Sequence, residues 1–150
     1  MTLWDRVSGH KIFERLAHPP EAFNVEFSRD GRLLASGGSD GTAKLWEVIP
    51  GGLKLRHTLQ RRFGSTPLFF SRDGRRLVGG SSEHTLKFWD TKTGLEVGTL
   101  YGHRGSIAGI AFARDGNTLY SGAQDGDVRI WRAPFLERFE TGGNEKARPE

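Results

Sequence analysis

The chain has 150 residues, 35% of them hydrophobic and 27% charged, with 21 glycines, a net charge of +4 and no cysteine. No apolar run approaches the roughly 20 residues of a membrane-spanning helix, Met1-Thr2-Leu3-Trp4-Asp5 lacks the features of a secretory signal, and disulfides and thiolate metal sites are excluded. A soluble, turn-rich protein of a reducing compartment is expected, cytoplasmic in location, with a modest positive excess carried mainly by Arg.

In chain order, residues 1–16 read as two short strands, Thr2 to Trp4 and Lys11 to Leu16, the last two of a larger unit. Residues 17–59 form a full unit. Phe23 to Phe27 and Arg32 to Ser36 flank the turn Ser28-Arg29-Asp30-Gly31. Gly37-Gly38-Ser39-Asp40-Gly41 then turns into Thr42 to Trp46, and Pro50-Gly51-Gly52 into Leu53 to Leu59. Residues 60–101 repeat the pattern as Thr66 to Phe70, Arg76 to Gly79, Thr85 to Trp89 and Leu95 to Leu100. Residues 102–140 repeat it again as Ile107 to Phe112, Thr118 to Ser121 and Val128 to Trp131, with Phe135 to Phe139 a weak fourth strand after Pro134. Residues 141–150, rich in Gly, Asn, Pro and charge, are expected to be disordered.

Two independent markers share one register. Trp4, Trp46, Trp89 and Trp131 are spaced by 42, 43 and 42 residues. Ser28-Arg29-Asp30-Gly31, Ser71-Arg72-Asp73-Gly74 and Ala113-Arg114-Asp115-Gly116 follow at 43 and 42. A period of this length marks a repeat array. Segments of about five residues punctuated by Gly and Asp favour strands over a helical solenoid.

These residues resemble the WD40 family. Trp4-Asp5 and Trp89-Asp90 match its name-giving dipeptide, Gly102-His103 its Gly-His, and Asp40-Gly41 and Asp125-Gly126 its Asp-Gly, while Trp46-Glu47 and Trp131-Arg132 depart from the dipeptide. The resemblance covers about Met1 to Phe139. It implies an all-β fold, a WD40-type β-propeller segment of three four-stranded antiparallel blades plus an N-terminal partial blade.

The resemblance also implies a hydrogen-bonded tetrad in each blade. Matching residues are His18, Ser36, Asp40 and Trp46 in the first unit and His103, Ser121, Asp125 and Trp131 in the third, every member shifted by 85. The middle unit has Arg61, Gly79, Glu83 and Trp89 instead. Either Arg61 reaches Glu83 as a substitute ion pair, or both are solvated on a degenerate blade.

Ser, His and Asp in one network invite a hydrolase reading, but catalytic sites do not recur at a fixed offset and structural tethers do. The five histidines, at positions 10, 18, 57, 84 and 103, show no metal-ligand clustering, and no cofactor is expected. The Gly pairs at Gly37-Gly38, Gly51-Gly52 and Gly79-Gly80 lead into strands, not helix N-termini, and read as turn and blade-packing glycines instead of phosphate loops. The Arg residues of the hairpin turns could attract an acidic partner or nucleic acid, but each hairpin brings its own Asp, so local neutralisation is favoured.

In the family, the opposite rim usually docks peptides and proteins. Matching positions include Glu21, Ser39, Arg62, Phe63, Ser82, Arg104 and Gln124, with Phe63 either an anchor for a partner or packed under its own loop. A non-enzymatic protein-interaction scaffold is the expected function. The alternatives are a basic nucleic-acid-binding module and the regulatory propeller of a larger bacterial, kinase-linked protein, whose propellers the close Trp131-Arg132-Ala133-Pro134 resembles. Three blades leave a ring open. Either the chain is part of a longer propeller, or it self-associates, with Lys11 to Leu16 of one copy completing the last blade of another in a six-bladed dimer.

Overall fold

The computed structural model describes residues 1–60, 67–81 and 83–132. All regular structure there is strand. A two-stranded hairpin, β1 (Thr2–Trp4) and β2 (Lys11–Glu14), precedes the first blade, β3 (Ala22–Phe27), β4 (Leu33–Gly38), β5 (Thr42–Ile49) and β6 (Gly52–Gln60). The second blade is β7 (Leu68–Phe70), β8 (Arg76–Gly80), β9 (Leu86–Asp90) and β10 (Glu96–Leu100). The third has β11 (Ile107–Phe112), β12 (Thr118–Ala123) and β13 (Val128–Arg132). Each sheet is an antiparallel meander in sequence order. The fold is the expected WD40-type propeller segment. A fourth strand at Phe135 to Phe139 falls outside the described residues, as does the tail.

Period-2 alternation sends successive side chains to opposite faces of a blade, so each blade has two apolar faces. Ala35, Ala43, Leu45 and Leu59 of the first blade pack against Leu68, Phe70, Leu77 and Trp89 of the second. Val78, Leu86, Phe88 and Leu100 on the second blade's other face pack against Ile107, Ile110, Leu119 and Trp131 of the third. Trp46 lies with Ala17, Leu34 and Leu53 against Met1 and Phe13 of the N-terminal hairpin, and the Arg15 guanidinium sits 5.6 Å from its ring centroid. Each of these three indoles thus faces the blade or hairpin before it.

The Trp-Asp dipeptide has a local cause. Asp5 accepts the amides of Val7 and Ser8 at 3.1 and 2.6 Å, and Asp90 those of Lys92 and Thr93 at 3.1 and 2.8 Å, so the Asp caps a turn that begins directly after the Trp strand. In the first blade the hairpin is longer. Glu47 pairs with Lys54 inside the ladder and the turn falls at Pro50-Gly51, where a capping Asp beside the Trp has nothing to cap.

One sequence expectation needs correction. Gly37-Gly38 and Gly79-Gly80 are not turn residues but the last residues of β4 and β8. Gly38 is needed for close approach, because an added Cβ would stand 2.2 Å from the His18 Cβ. Gly79 faces Leu68, whose side chain would lie 2.8 Å from a Cβ there.

Among the described residues, both end faces of the array are apolar and uncovered. Val78, Leu86 and Phe88 are at most 1% exposed, yet Tyr120, Val128 and Ile130, in the same register on the third blade, are 39%, 73% and 53% exposed. At the other end Phe23, Val25 and Phe27 of β3 are exposed, the hairpin covering only the outer part of that face.

Candidate functional site

The first and third blades assemble their four spaced residues into one linear network. Asp40 Oδ1 lies 2.9 Å from His18 Nδ1, His18 Nε2 lies 2.8 Å from Ser36 Oγ, and Trp46 Nε1 donates to that oxygen at 2.8 Å. An ionised carboxylate only accepts, so Nδ1 carries the imidazole proton and Nε2 accepts from the Ser36 hydroxyl. Donation runs in one direction, Trp to Ser to His to Asp. The third blade repeats this: 3.0 Å from His103 Nδ1 to Asp125 Oδ2, 2.8 Å from Nε2 to Ser121 Oγ, and 2.8 Å from Trp131 Nε1 to the same oxygen. His18, Ser36, His103 and Ser121 are all buried.

The order Asp–His–Ser is also that of a hydrolytic triad, but the geometry forbids that chemistry in the folded chain. Each Oγ is buried and already accepts an indole N–H while donating to the imidazole, leaving no approach for a carbonyl carbon. Among the described residues, no group of three or more His, Asp or Glu is placed to hold a metal ion, and no helix is long and apolar enough to cross a membrane.

Residues that the sequence did not single out extend the first network. The Thr42 hydroxyl and amide donate to Asp40 Oδ1 at 2.8 and 3.1 Å, and Lys44 Nζ reaches Oδ2 at 3.3 Å while also donating to the Ala17 carbonyl. Burial would raise the Asp40 carboxyl, but the His18 and Thr42 hydrogen bonds outweigh it and hold it at about 2. In the third blade the Arg104 amide, donating at 2.7 Å, holds Asp125 well below the usual carboxylate range despite partial burial, aided by Asp127 and His103. Both folded values lie below the unfolded one, so these carboxylates stabilise the fold fully above about pH 4, and the contribution fades as pH falls through the folded value. Asp40 should supply about 1–2 kcal/mol after discounting for solvent screening. Denaturation midpoints measured between pH 5 and pH 2 should fall more steeply for the natural chain than for Asp40→Asn; parallel curves would contradict this.

The second blade is built differently. Gly79 stands where the other blades have Ser36 and Ser121, and Leu68 fills the space against Trp89. The turn into β9 is closed by two buried hydroxyls, Ser81 Oγ to Thr85 Oγ1 at 2.7 Å, and the Glu83 amide donates to Ser81 at 3.2 Å. Arg61 lies outside the described residues, and with it the ion pair expected to Glu83. His84 occupies the left-handed position taken by Gly41 and Gly126 in the neighbouring blades, with φ 60° against 74° and 85°, and its buried Nδ1 has no hydrogen-bond partner among the described residues. A non-glycine residue costs about 1–2 kcal/mol in that region. His84→Gly should therefore raise the unfolding free energy by about 1 kcal/mol; a lower thermal midpoint would refute this.

Of the rim residues, Glu21, Arg104 and Gln124 are exposed, whereas Ser39 is half-buried and engaged. Its hydroxyl accepts the Glu21 amide at 3.1 Å and its own amide donates to the Glu21 carbonyl at 3.0 Å, clasping the two loops. Gln124 N donates to the Ser106 carbonyl at 2.9 Å in the equivalent clasp. Arg62, Phe63 and Ser82 fall outside the described residues.

Comparison with known proteins matches this geometry to a family. The model for the WD domain, G-beta repeat, fits residues 9–47, 68–90 and 94–132. The chain is 30% identical over 139 residues to eukaryotic translation initiation factor 3 subunit I of Bombyx mori, spanning 85% of this chain and 42% of that protein. To the same subunit of Nematostella vectensis it is 28% identical, over 85% of this chain and 43% of the relative. It is 30% identical to telomerase protein component 1 of Mus musculus, across 87% of this chain but 5% of that protein. The chain thus spans less than half the length of the curated relatives it matches. With three matched repeats, four Trp in register and the blades they build, the chain belongs to the WD40 family.

Proposed function

We propose that this chain is a non-enzymatic scaffold segment that presents one propeller rim to a protein or peptide partner in the cytoplasm. The observation that carries the reading is the rigid mounting of exposed side chains: Glu21, Arg104 and Gln124 sit on loops whose backbones are clasped to each other and to the buried networks. A rim held this way loses little conformational freedom on binding. The tetrads serve here as structural tethers. Relatives named as subunits of a larger factor support a part in an assembly. The bare end faces support coverage by a further blade, from the same polypeptide or from a second copy closing the ring. In the second case β2, which pairs with β1 on one edge only, could add its other edge to the last blade of another copy. The blade repeats favour neither the nucleic-acid module nor the kinase-linked propeller.

The test is site-specific photocrosslinking in cells, with the photoreactive residue at Glu21, Arg104 or Gln124 and, as control, at Lys54 on the outer strand. A discrete protein adduct from the rim positions and none from Lys54 is expected. Nuclease-sensitive adducts, or equal labelling from every position, would overturn the reading.

A further inference from the structure

On the other rim, the three Arg-Asp-Gly turns converge around an open cup of about 590 Å³. It is lined by Phe27, Phe70 and Phe112 and by Arg29, Arg72 and Arg114, two triplets that recur in register. The turn chemistry explains why these Arg residues are free. Asp30 accepts the Ser28 hydroxyl at 2.7 Å and the Arg32 amide at 3.1 Å, and Asp73 the Ser71 hydroxyl at 2.6 Å and the Arg75 amide at 3.0 Å. Asp115 accepts the amides of Asn117 and Thr118 at 2.9 and 3.0 Å. The first two carboxylates also face the guanidinium groups of Arg32 and Arg75, at 3.9 and 4.0 Å. Local neutralisation, expected for the whole rim, therefore holds for Arg32 and Arg75 and fails for Arg29, Arg72 and Arg114. The last three are exposed, and among the described residues no carboxylate lies within 4 Å of them. Arg72 Nη1 donates to the Arg114 carbonyl, tying two of the turns together. Glu26 is the one acidic residue of the lining, set against its three Arg residues; burial raises its carboxyl.

We propose that this cup docks an acidic segment of a protein partner, its carboxylates on Arg29, Arg72 and Arg114 and an apolar side chain on the phenylalanine floor. Arg suits this role because its planar fork meets a carboxylate with two parallel hydrogen bonds. A nucleic acid fits less well. The neutralised Arg32 and Arg75 interrupt any basic track along the rim, and burial of Phe70 between the blades breaks a continuous run of stacking faces beside the exposed Phe27. The proposal rests on the scaffold reading but uses the rim opposite to Glu21, Arg104 and Gln124, so the two fail separately.

The experiment titrates the full chain into a fluorescein-labelled peptide of alternating Glu and Leu, into its Gln/Leu counterpart and into a single-stranded DNA of similar length, reading anisotropy. Binding of the Glu/Leu peptide alone is expected, weakened about 30-fold by Arg29→Gln, Arg72→Gln and Arg114→Gln together and unchanged by Lys54→Gln on the outer strand. Tryptophan fluorescence verifies that the variants are folded; these exposed side chains make no carboxylate contact whose loss would unfold the chain. An unchanged affinity in the triple variant, no peptide binding at all, or DNA that displaces the peptide from the natural chain would overturn the cup. Peptide binding lost only with Arg104→Gln would overturn it too, while leaving the scaffold reading standing on the other rim.

Discussion

Phe88→Ser is expected to lower the unfolding free energy by about 4 kcal/mol, while Ile130→Ser, at the same register position one repeat later, costs less than about 0.5 kcal/mol. Phe88 is 1% exposed between the second and third blades and Ile130 is 53% exposed on a face against which no blade packs among the described residues. Truncation at Phe88 removes a large buried ring, leaves a cavity and places a hydroxyl in it, whereas Ile130→Ser replaces exposed apolar surface. Urea unfolding followed by tryptophan fluorescence separates the two, and similar losses at both positions would refute the assignment of the trailing face. Where a further blade covers that face in solution, Ile130→Ser shows its effect in association. Light scattering over a concentration series should then show the natural chain heavier than the variant.

Gly38→Ala is expected to cost about 3 kcal/mol, an effect out of proportion to one methyl group. The added Cβ would stand 2.2 Å from the His18 Cβ and 2.6 Å from the Glu21 carbonyl oxygen. Relief requires moving the loop that delivers His18 to Ser36 and Asp40, and the Trp46 indole and Ser36 hydroxyl then lose their order. The third blade differs at this crossing. It has Ala123 at the position of Gly38, and Gly105 on the loop after His103, where a Cβ would be 2.5 Å from the Asp125 amide nitrogen. A Gly38→Ala protein with natural stability would mean that the loop yields freely and the network does not set it.

Much of this fold was legible because blade packing repeats. A Trp every 42 or 43 residues and an Asp-Gly at constant offset report the same interface built several times, and the eight residues grouped by that offset stand within hydrogen-bond distance. The misreadings come from places where local chemistry and tertiary demand diverge. Gly37-Gly38 looks like a turn by composition, but the glycine serves a crossing loop distant in sequence. Ser81 and Thr85 belong to no repeat marker, and only the structure shows their hydroxyls closing the turn of the second blade. The free Arg triplet was hidden in a motif whose neighbouring Asp suggested neutralisation; only geometry shows that carboxylate turned onto its own turn. Exposure of the end faces is legible only from the count of three repeats and not from residue type, since Val128 and Ile130 are the same kind of residue as Leu86 and Phe88.

The direction in which the indoles point has a consequence for how the chain is made. From Trp46 onward, each indole rests on residues earlier in the sequence: Trp46 on the N-terminal hairpin, Trp89 on the first blade, Trp131 on the second. As the chain leaves the ribosome, each newly completed Trp strand meets a surface already synthesised. Each new blade is thus laid onto one already made, while the leading face of Phe23, Val25 and Phe27 has no earlier blade among the described residues to rest on.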